Sequence, residues 1–261
     1  MADKPRRIVL KFGSGILTKP NGNALDPAQF RRLAADVARL VQRGHKCVIV
    51  SSGAVAAGLR VLGLKDRPDD LATRQACAAV GQSKLMQAYE TAFARHKLNV
   101  AQLLLTHSDL DSRIRYTNAK NTLRRLFDRG NVVPIINEND SVAVEELKFG
   151  DNDRLSAEVA MLAEADLLIL LTSVDGLMDA SGKAVPVVSD IDGAAKFVRD
   201  EKEKFSVGGM VSKLQAVKLA VDVGIATVIA NGRRAGEIAA VLRGEQVGTR
   251  FPARTEKPHG K

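Results

Sequence analysis

RIVLKFGSGILT, residues 7–18, sets a lysine at the end of a run that otherwise reads as a buried strand, and two glycines follow it. A short unbroken run of Val, Ile, Leu and Phe suits a strand covered on both faces, as in a parallel sheet with helices above and below. The pattern recurs. KCVIVSSG (46–53), VAQLLLT (100–106), NVVPIINE (131–138), DLLILLTS (166–173) and ATVIAN (226–231) are runs of the same kind, separated by segments of helical period. DPAQFRRLAADVARLVQRG (26–44) predicts a helix with Asp26 as N-cap, Pro27 at its first position and Gly44 as its stop. Long helices are also expected over about 71–96 and 113–129. The alternation predicts an α/β fold, a three-layer α/β/α sandwich around a mostly parallel central sheet. VAVEELKFG (142–150) alternates polar and apolar residues and is expected as a hairpin arm at the sheet edge.

Length and composition bound what such a fold does. With 261 residues, 45% of them hydrophobic, one large core is affordable. Residues 1–251 are expected to form one domain and 252–261 a short disordered tail. The opening MADKPRRIVLKFG has no apolar h-region, and no run of about 18 apolar residues lacks a charge or a glycine, so a soluble cytoplasmic protein without membrane contact is expected. Cys47 and Cys77 sit in apolar patterns with no CxxC spacing, and read as buried, reduced thiols. The formal charge of +9 is scattered, and only 4% of residues are aromatic. That favours a solvated basic surface with an anionic-ligand site over nucleic-acid binding, which would draw on stacking aromatics.

In an open α/β sheet, ligands bind beyond the carboxyl ends of the strands. KFGSG (11–15), SSGA (51–54), NENDS (137–141) and TSVDG (172–176) all fall there. GSGILT nearly matches a dinucleotide fingerprint, but Thr18 replaces the third glycine and the second strand ends in Ser51 and Ser52 where an acid would hold a ribose. No P-loop pattern occurs in the chain. Lys11, beside Gly13 and Gly15, instead reads as a phosphate cradle. VGGMVSK (207–213) repeats the theme, because a lysine near a helix N-terminus is unfavoured unless an anion is present. Two lysines, glycine turns and carboxylate-rich loops, without a histidine or cysteine nucleophile, suit phosphoryl transfer.

GDNDRLSAEVA (150–160) admits three readings: a helix cap at Asp151 or Asn152 for a helix starting near Arg154, a metal loop, or part of an active site. The twelve-position calcium pattern is missing. A cap explains one polar residue out of three, so the active-site reading is favoured.

Together, KFGSG, VIVSSGAVAAG, INENDSV, GDNDRLSA and GGMVSKLQA resemble the glutamate 5-kinases of the amino-acid kinase superfamily, and the resemblance extends from about residue 7 to 251. It implies an amino-acid kinase fold and transfer of the ATP γ-phosphate to the side-chain carboxylate of L-glutamate, with ATP and Mg²⁺ required, at the first step of proline synthesis. Carried over by motif, Lys11 and Lys213 neutralise the phosphoryl group in flight and Asp153 holds both lysines. Ser52, Gly53, Asp140 and Asn152 bind glutamate, with Asp140 facing its ammonium. Gly13 offers an amide at the phosphates and Ser14 stands beside it. Thr172, Ser173, Gly208, Gly209 and Met210 border the nucleotide. No residue is assigned as a metal ligand.

The resemblance further implies a homodimer or tetramer, coupling to a glutamyl-phosphate reductase, and proline inhibition through about residues 53–83. The pattern is departed from at Ser173, where many members carry an acid, at Val207, where a small hydroxyl residue is usual, and in the lack of a C-terminal PUA domain. Other superfamily substrates, such as N-acetylglutamate, carbamate or a nucleoside monophosphate, form the alternative enzyme reading. A catalytically idle regulatory or RNA-binding module is the non-enzyme alternative.

Overall fold

The computed structural model describes residues 6–143, 152–179, 181–200 and 209–254. Six strands run parallel: β1 (Arg7–Phe12), β2 (Lys46–Ser51), β3 (Asn99–Leu105), β4 (Val132–Glu138), β5 (Leu167–Thr172) and β6 (Ala226–Asn231). A short β7 (Thr249–Phe251), not expected from the sequence, pairs antiparallel with β6. The order is β3-β4-β2-β1-β5-β6-β7. The chain therefore moves from β1 to β2 on one side and later crosses from β4 to β5 on the other side of β1, which makes the carboxyl end of β1 a switch point where a crevice opens.

Alternation along β1 divides its side chains between two cores. Ile8, Leu10 and Phe12 enter the layer formed by α2 (Pro27–Gln42) and α4 (Leu71–Ala94). Val9 faces the opposite layer, built largely from α6 (Arg113–Arg129), α7 (Asp153–Leu162) and α9 (Met210–Asp222). Three layers result. Lys11 lies on the side of Val9, at a position that burial would otherwise give to an apolar residue.

Local signals explain the helix ends. Asp26 accepts a hydrogen bond from the Ala28 amide at 2.9 Å, with Pro27 in the first turn, as its sequence predicts. Asp70 caps α4 through the Thr73 amide at 2.8 Å. The short α3 (Ala54–Leu59) packs against α4 through glycines: a Cβ on Gly81 would lie 1.8 Å from the Ala54 carbonyl oxygen, and one on Gly58 1.9 Å from that of Cys77. The two backbones are in direct contact there. The remaining helices are α1 (Ser14–Leu17), α5 (His107–Asp111), α8 (Ile191–Asp200) and α10 (Glu237–Leu242).

Residues 144–150 of the expected hairpin arm lie outside the described residues; Val142 and Ala143 belong to a turn after β4. Of the expected tail, Arg254 is tied back by an ion pair to Asp222 at 2.6 Å, and residues 255–261 lie outside the described set.

Cys47 and Cys77 are buried and unpaired as thiols. Burial pushes the Cys47 thiol up to about 12 and raises that of Cys77 as well, so neither carries appreciable thiolate at pH 8. A thiol-specific chromogenic disulfide is expected to label neither cysteine of the folded protein at pH 8 and both in urea. Fast labelling without denaturant would contradict a closed core.

Candidate active site

The site grows from the carboxyl ends of β1, β2, β4 and β5. Lys11 leaves β1 almost fully buried, at 1% exposure, and its Nζ lies 2.7 Å from Asp153 Oδ1. Asp153 is the first residue of α7, one position earlier than the sequence suggested, and a carboxylate suits a helix N-terminus. Its other oxygen, Oδ2, meets Lys213 Nζ at 3.1 Å, and the Ser212 hydroxyl lies 3.0 Å from the same atom. One buried carboxylate thus joins two buried ammonium groups. Such a pair of cations is costly to bury and persists only with a partner of opposite charge.

Asn152 stands at the N-cap position of α7, but its side chain does not cap. Its amide donates to the Ser51 carbonyl at 2.5 Å and to Asn137 Oδ1 at 2.6 Å. With both amide hydrogens used, Oδ1 is the group it can offer a donor in the cleft. Asn137 in turn donates to Gln82 Oε1 at 2.8 Å, while the Ser51 hydroxyl meets Tyr89 OH at 2.8 Å. A polar chain therefore runs from α4 to the cleft floor.

That cleft, about 390 Å³, is walled by Ser14, Gly15, Ser52, Gly53, Asp140 and Asn152, among others. Ser52 Oγ is buried, and among the described residues it has no hydrogen-bond partner, which marks it for a ligand atom. Gly53 has φ 99 and heads α3. Only glycine holds that left-handed conformation without strain, and the first-turn residues Ala54, Val55 and Ala56 that follow it line the cleft. A second, largely apolar cavity of about 120 Å³ is bordered by Thr172, Ser173, Gly209, Met210 and Lys213, with Leu177 and Met178. Lys213 therefore touches both the second cavity and Asp153.

Most residues singled out by sequence come together around these two cavities. Gly13 is an exception: its amide donates to the Leu171 carbonyl at 3.2 Å, so it is not available to a phosphate. Ser14 and Gly15 open the short α1 and carry first-turn amides without an intrahelical acceptor. Gly208 and Val207 lie outside the described residues. Sequence reasoning passed over Asn137, Gln82, Ser212, Arg67 and Arg233. Asn137 was within reach, since it opens the NENDS strand exit; Arg67 and Arg233 carry no local pattern and are brought in by the fold.

Comparison with known proteins gives a consistent picture. A family profile described as the amino acid kinase family matches residues 6–231. Glutamate 5-kinase of Geobacter sp. (strain M21) is 48% identical over 255 residues, 95% of this chain and 68% of that protein. Glutamate 5-kinase of Thermus thermophilus shows the same identity and coverage. Among solved structures, N-acetylglutamate synthase from Neisseria gonorrhoeae complexed with coenzyme A and N-acetyl-glutamate superimposes with a TM-score of 0.70 at 16% identity, covering 96% of this chain and 60% of that one. UMP kinase from Bacillus anthracis gives 0.65 at 17% identity, covering 97% and 98%. At those identities the two structures speak to the fold alone.

Proposed function

From the premise that this chain belongs to the amino acid kinase family, among its glutamate 5-kinases, we propose how its residues carry the reaction. The enzyme transfers the γ-phosphate of ATP to the side-chain carboxylate of L-glutamate, giving L-glutamyl 5-phosphate and ADP, the reaction that opens proline biosynthesis. One observation supports the assignment of roles: Asp153, next to the cleft residue Asn152, bridges Lys11 to Lys213, which borders the apolar cavity.

In this reading the glutamate occupies the polar cleft. Its ammonium group meets Asp140 and Asn152 Oδ1, while Ser52 Oγ and the first-turn amides of α3 receive carboxylate oxygens. The adenine sits against Leu177, Met178 and Met210, and Thr172, Ser173 and Gly209 complete that wall. The phosphates then lie between the head of α1, with Ser14 and Gly15, and Lys213. The attacking carboxylate is already ionised at pH 7, so no general base is required. Its obstacle is repulsion from the triphosphate. Lys11 and Lys213 offset that repulsion and the charge that spreads over the moving phosphoryl group, and Asp153 fixes both without solvent reorganisation.

Mg²⁺ is part of the proposal. Among the described residues no group of three His, Cys, Asp or Glu side chains forms a cage, and the buried carboxylate of Asp153 is engaged by two lysines. The donor chemistry fits an ion carried by ATP phosphates and water, where it supplies further charge neutralisation. A homodimer or tetramer, and hand-over of the reactive acyl phosphate to a nearby reductase, complete the proposal. No described helix is long and apolar enough to cross a membrane.

ADP release from MgATP is the direct test. L-Glutamate is expected to support it and N-acetyl-L-glutamate is not, because acylation removes the charge that Asp140 meets and leaves the carboxylate facing an amide. Asp140→Ala is expected to raise the KM for L-glutamate about a hundredfold while ATP binding is kept. Preference for the acylated substrate, or an unchanged KM in the variant, would overturn the assigned ammonium contact.

A further inference from the structure

Arg67 stands on the loop between α3 and α4, and it lines the same cleft as Ser52, Asp140 and Asn152. The loop is anchored on both sides. Asn23 donates to the Lys65 carbonyl at 2.7 Å, and Asp70 caps α4 three residues beyond Arg67. Desolvation against the cleft wall lowers the guanidinium's pKa, Arg74 acts in the same direction and Asp140, on the same cleft, opposes them. Among the described residues, no hydrogen bond or direct ion pair engages the Arg67 side chain. Arg233, the other arginine on the cleft wall, already donates to the carbonyls of Gly15 at 2.5 Å and Thr18 at 3.2 Å.

A guanidinium and a carboxylate that line the same cleft are together complementary to the head of a free α-amino acid, whose ammonium and carboxylate share one carbon. We propose that Arg67 recognises the α-carboxylate of the substrate while Asp140 takes its ammonium. The inference rests on the glutamate kinase reading and adds to it the residue that reads the second charge of the head group. Arginine suits the task, since its planar fork meets a carboxylate with two parallel hydrogen bonds. The contact lies away from the phosphoryl group in flight. It contributes equally before and during transfer, and so acts on KM rather than on kcat.

The experiment measures ADP release for wild type, Arg67→Ala and Arg67→Lys over a range of L-glutamate, with 4-aminobutanoate, which lacks the α-carboxylate, as a competitive probe. Arg67→Ala is expected to raise the KM for L-glutamate about 10- to 100-fold, with kcat within about threefold and the KM for ATP unchanged. Arg67→Lys is expected to recover part of the loss. Inhibition by 4-aminobutanoate is expected to be equal in wild type and Arg67→Ala. A KM for the alanine variant within about twofold of wild type, or an equal loss toward 4-aminobutanoate, overturns the role of Arg67 and leaves glutamate phosphorylation standing. A wild-type protein that releases no ADP with L-glutamate overturns the underlying reading instead. Arg67 is solvent-exposed on its loop, so the variants are expected to melt with the wild type, which separates a lost contact from a lost fold.

Discussion

Asp153→Asn is expected to lower kcat about a thousandfold or more and to cost about 3–5 kcal/mol of stability. The substitution preserves shape and removes one charge. In the wild type each carboxylate oxygen serves one lysine, at 2.7 Å and 3.1 Å. An asparagine can still accept from one ammonium through Oδ1, but it turns an NH₂ donor toward the other. One buried lysine then faces a donor, in a pocket where Lys11 is 1% exposed. Relief comes by moving a lysine, admitting water or releasing a proton, and each route degrades the preorganised charge on which phosphoryl transfer depends. Single-turnover ADP formation together with urea unfolding would measure both effects. A variant with normal turnover would mean that the two lysines are held by something other than Asp153.

The second large effect is remote from the chemistry. Gly81→Ala is expected to destabilise the protein by about 3 kcal/mol, lowering Tm by about 6–12 °C. A single methyl group would lie 1.8 Å from the Ala54 carbonyl oxygen and 2.6 Å from the Gly58 amide nitrogen, and both are backbone atoms that cannot rotate away. Helices α3 and α4 must separate to admit it. Ala54 follows Gly53, so the separation displaces the amides assigned to the substrate carboxylate, and the KM for L-glutamate is expected to rise severalfold. Ser83→Ala, at an exposed position two residues along α4, serves as the control and is expected to change stability by less than about 0.5 kcal/mol. Calorimetry of the two variants decides the point. Equal melting would show that the α3–α4 contact yields at little cost.

The strand framework was readable because a parallel sheet covered on both faces demands continuous apolar runs, and each of the six runs became a strand within one or two residues of its expected limits. β7 escaped notice because Thr249–Phe251 is too short to show a period and is selected by the free edge of β6 rather than by propensity. The α3–α4 contact was hidden for a related reason. Gly58 and Gly81 lower helix propensity when read locally, and their value appears only when another backbone occupies the space. At the site, residues tied to strand exits were legible as a group. Asn152 was less so, since an N-cap position invites a capping role and only the fold reveals that Ser51 and Asn137 claim its amide. Gln82 and Arg67 enter from a helix interior and a long loop, where no spacing rule points toward the cleft.

Lys11 also constrains how the chain can assemble. Its neighbours on β1, Leu10 and Phe12, fill the opposite layer, so sliding β1 by one residue would exchange the two faces of the strand. An ammonium would then enter a layer of Phe30, Leu33 and Val37, far from Asp153, while Phe12 displaced the cation from the crevice. A purely aliphatic central strand, flanked by two other aliphatic strands, would distinguish such registers only weakly. The charge required for phosphoryl transfer thus also acts as an index mark during folding, and replacing Lys11 with methionine would be expected to relieve a buried charge yet broaden the set of pairings the sheet can adopt.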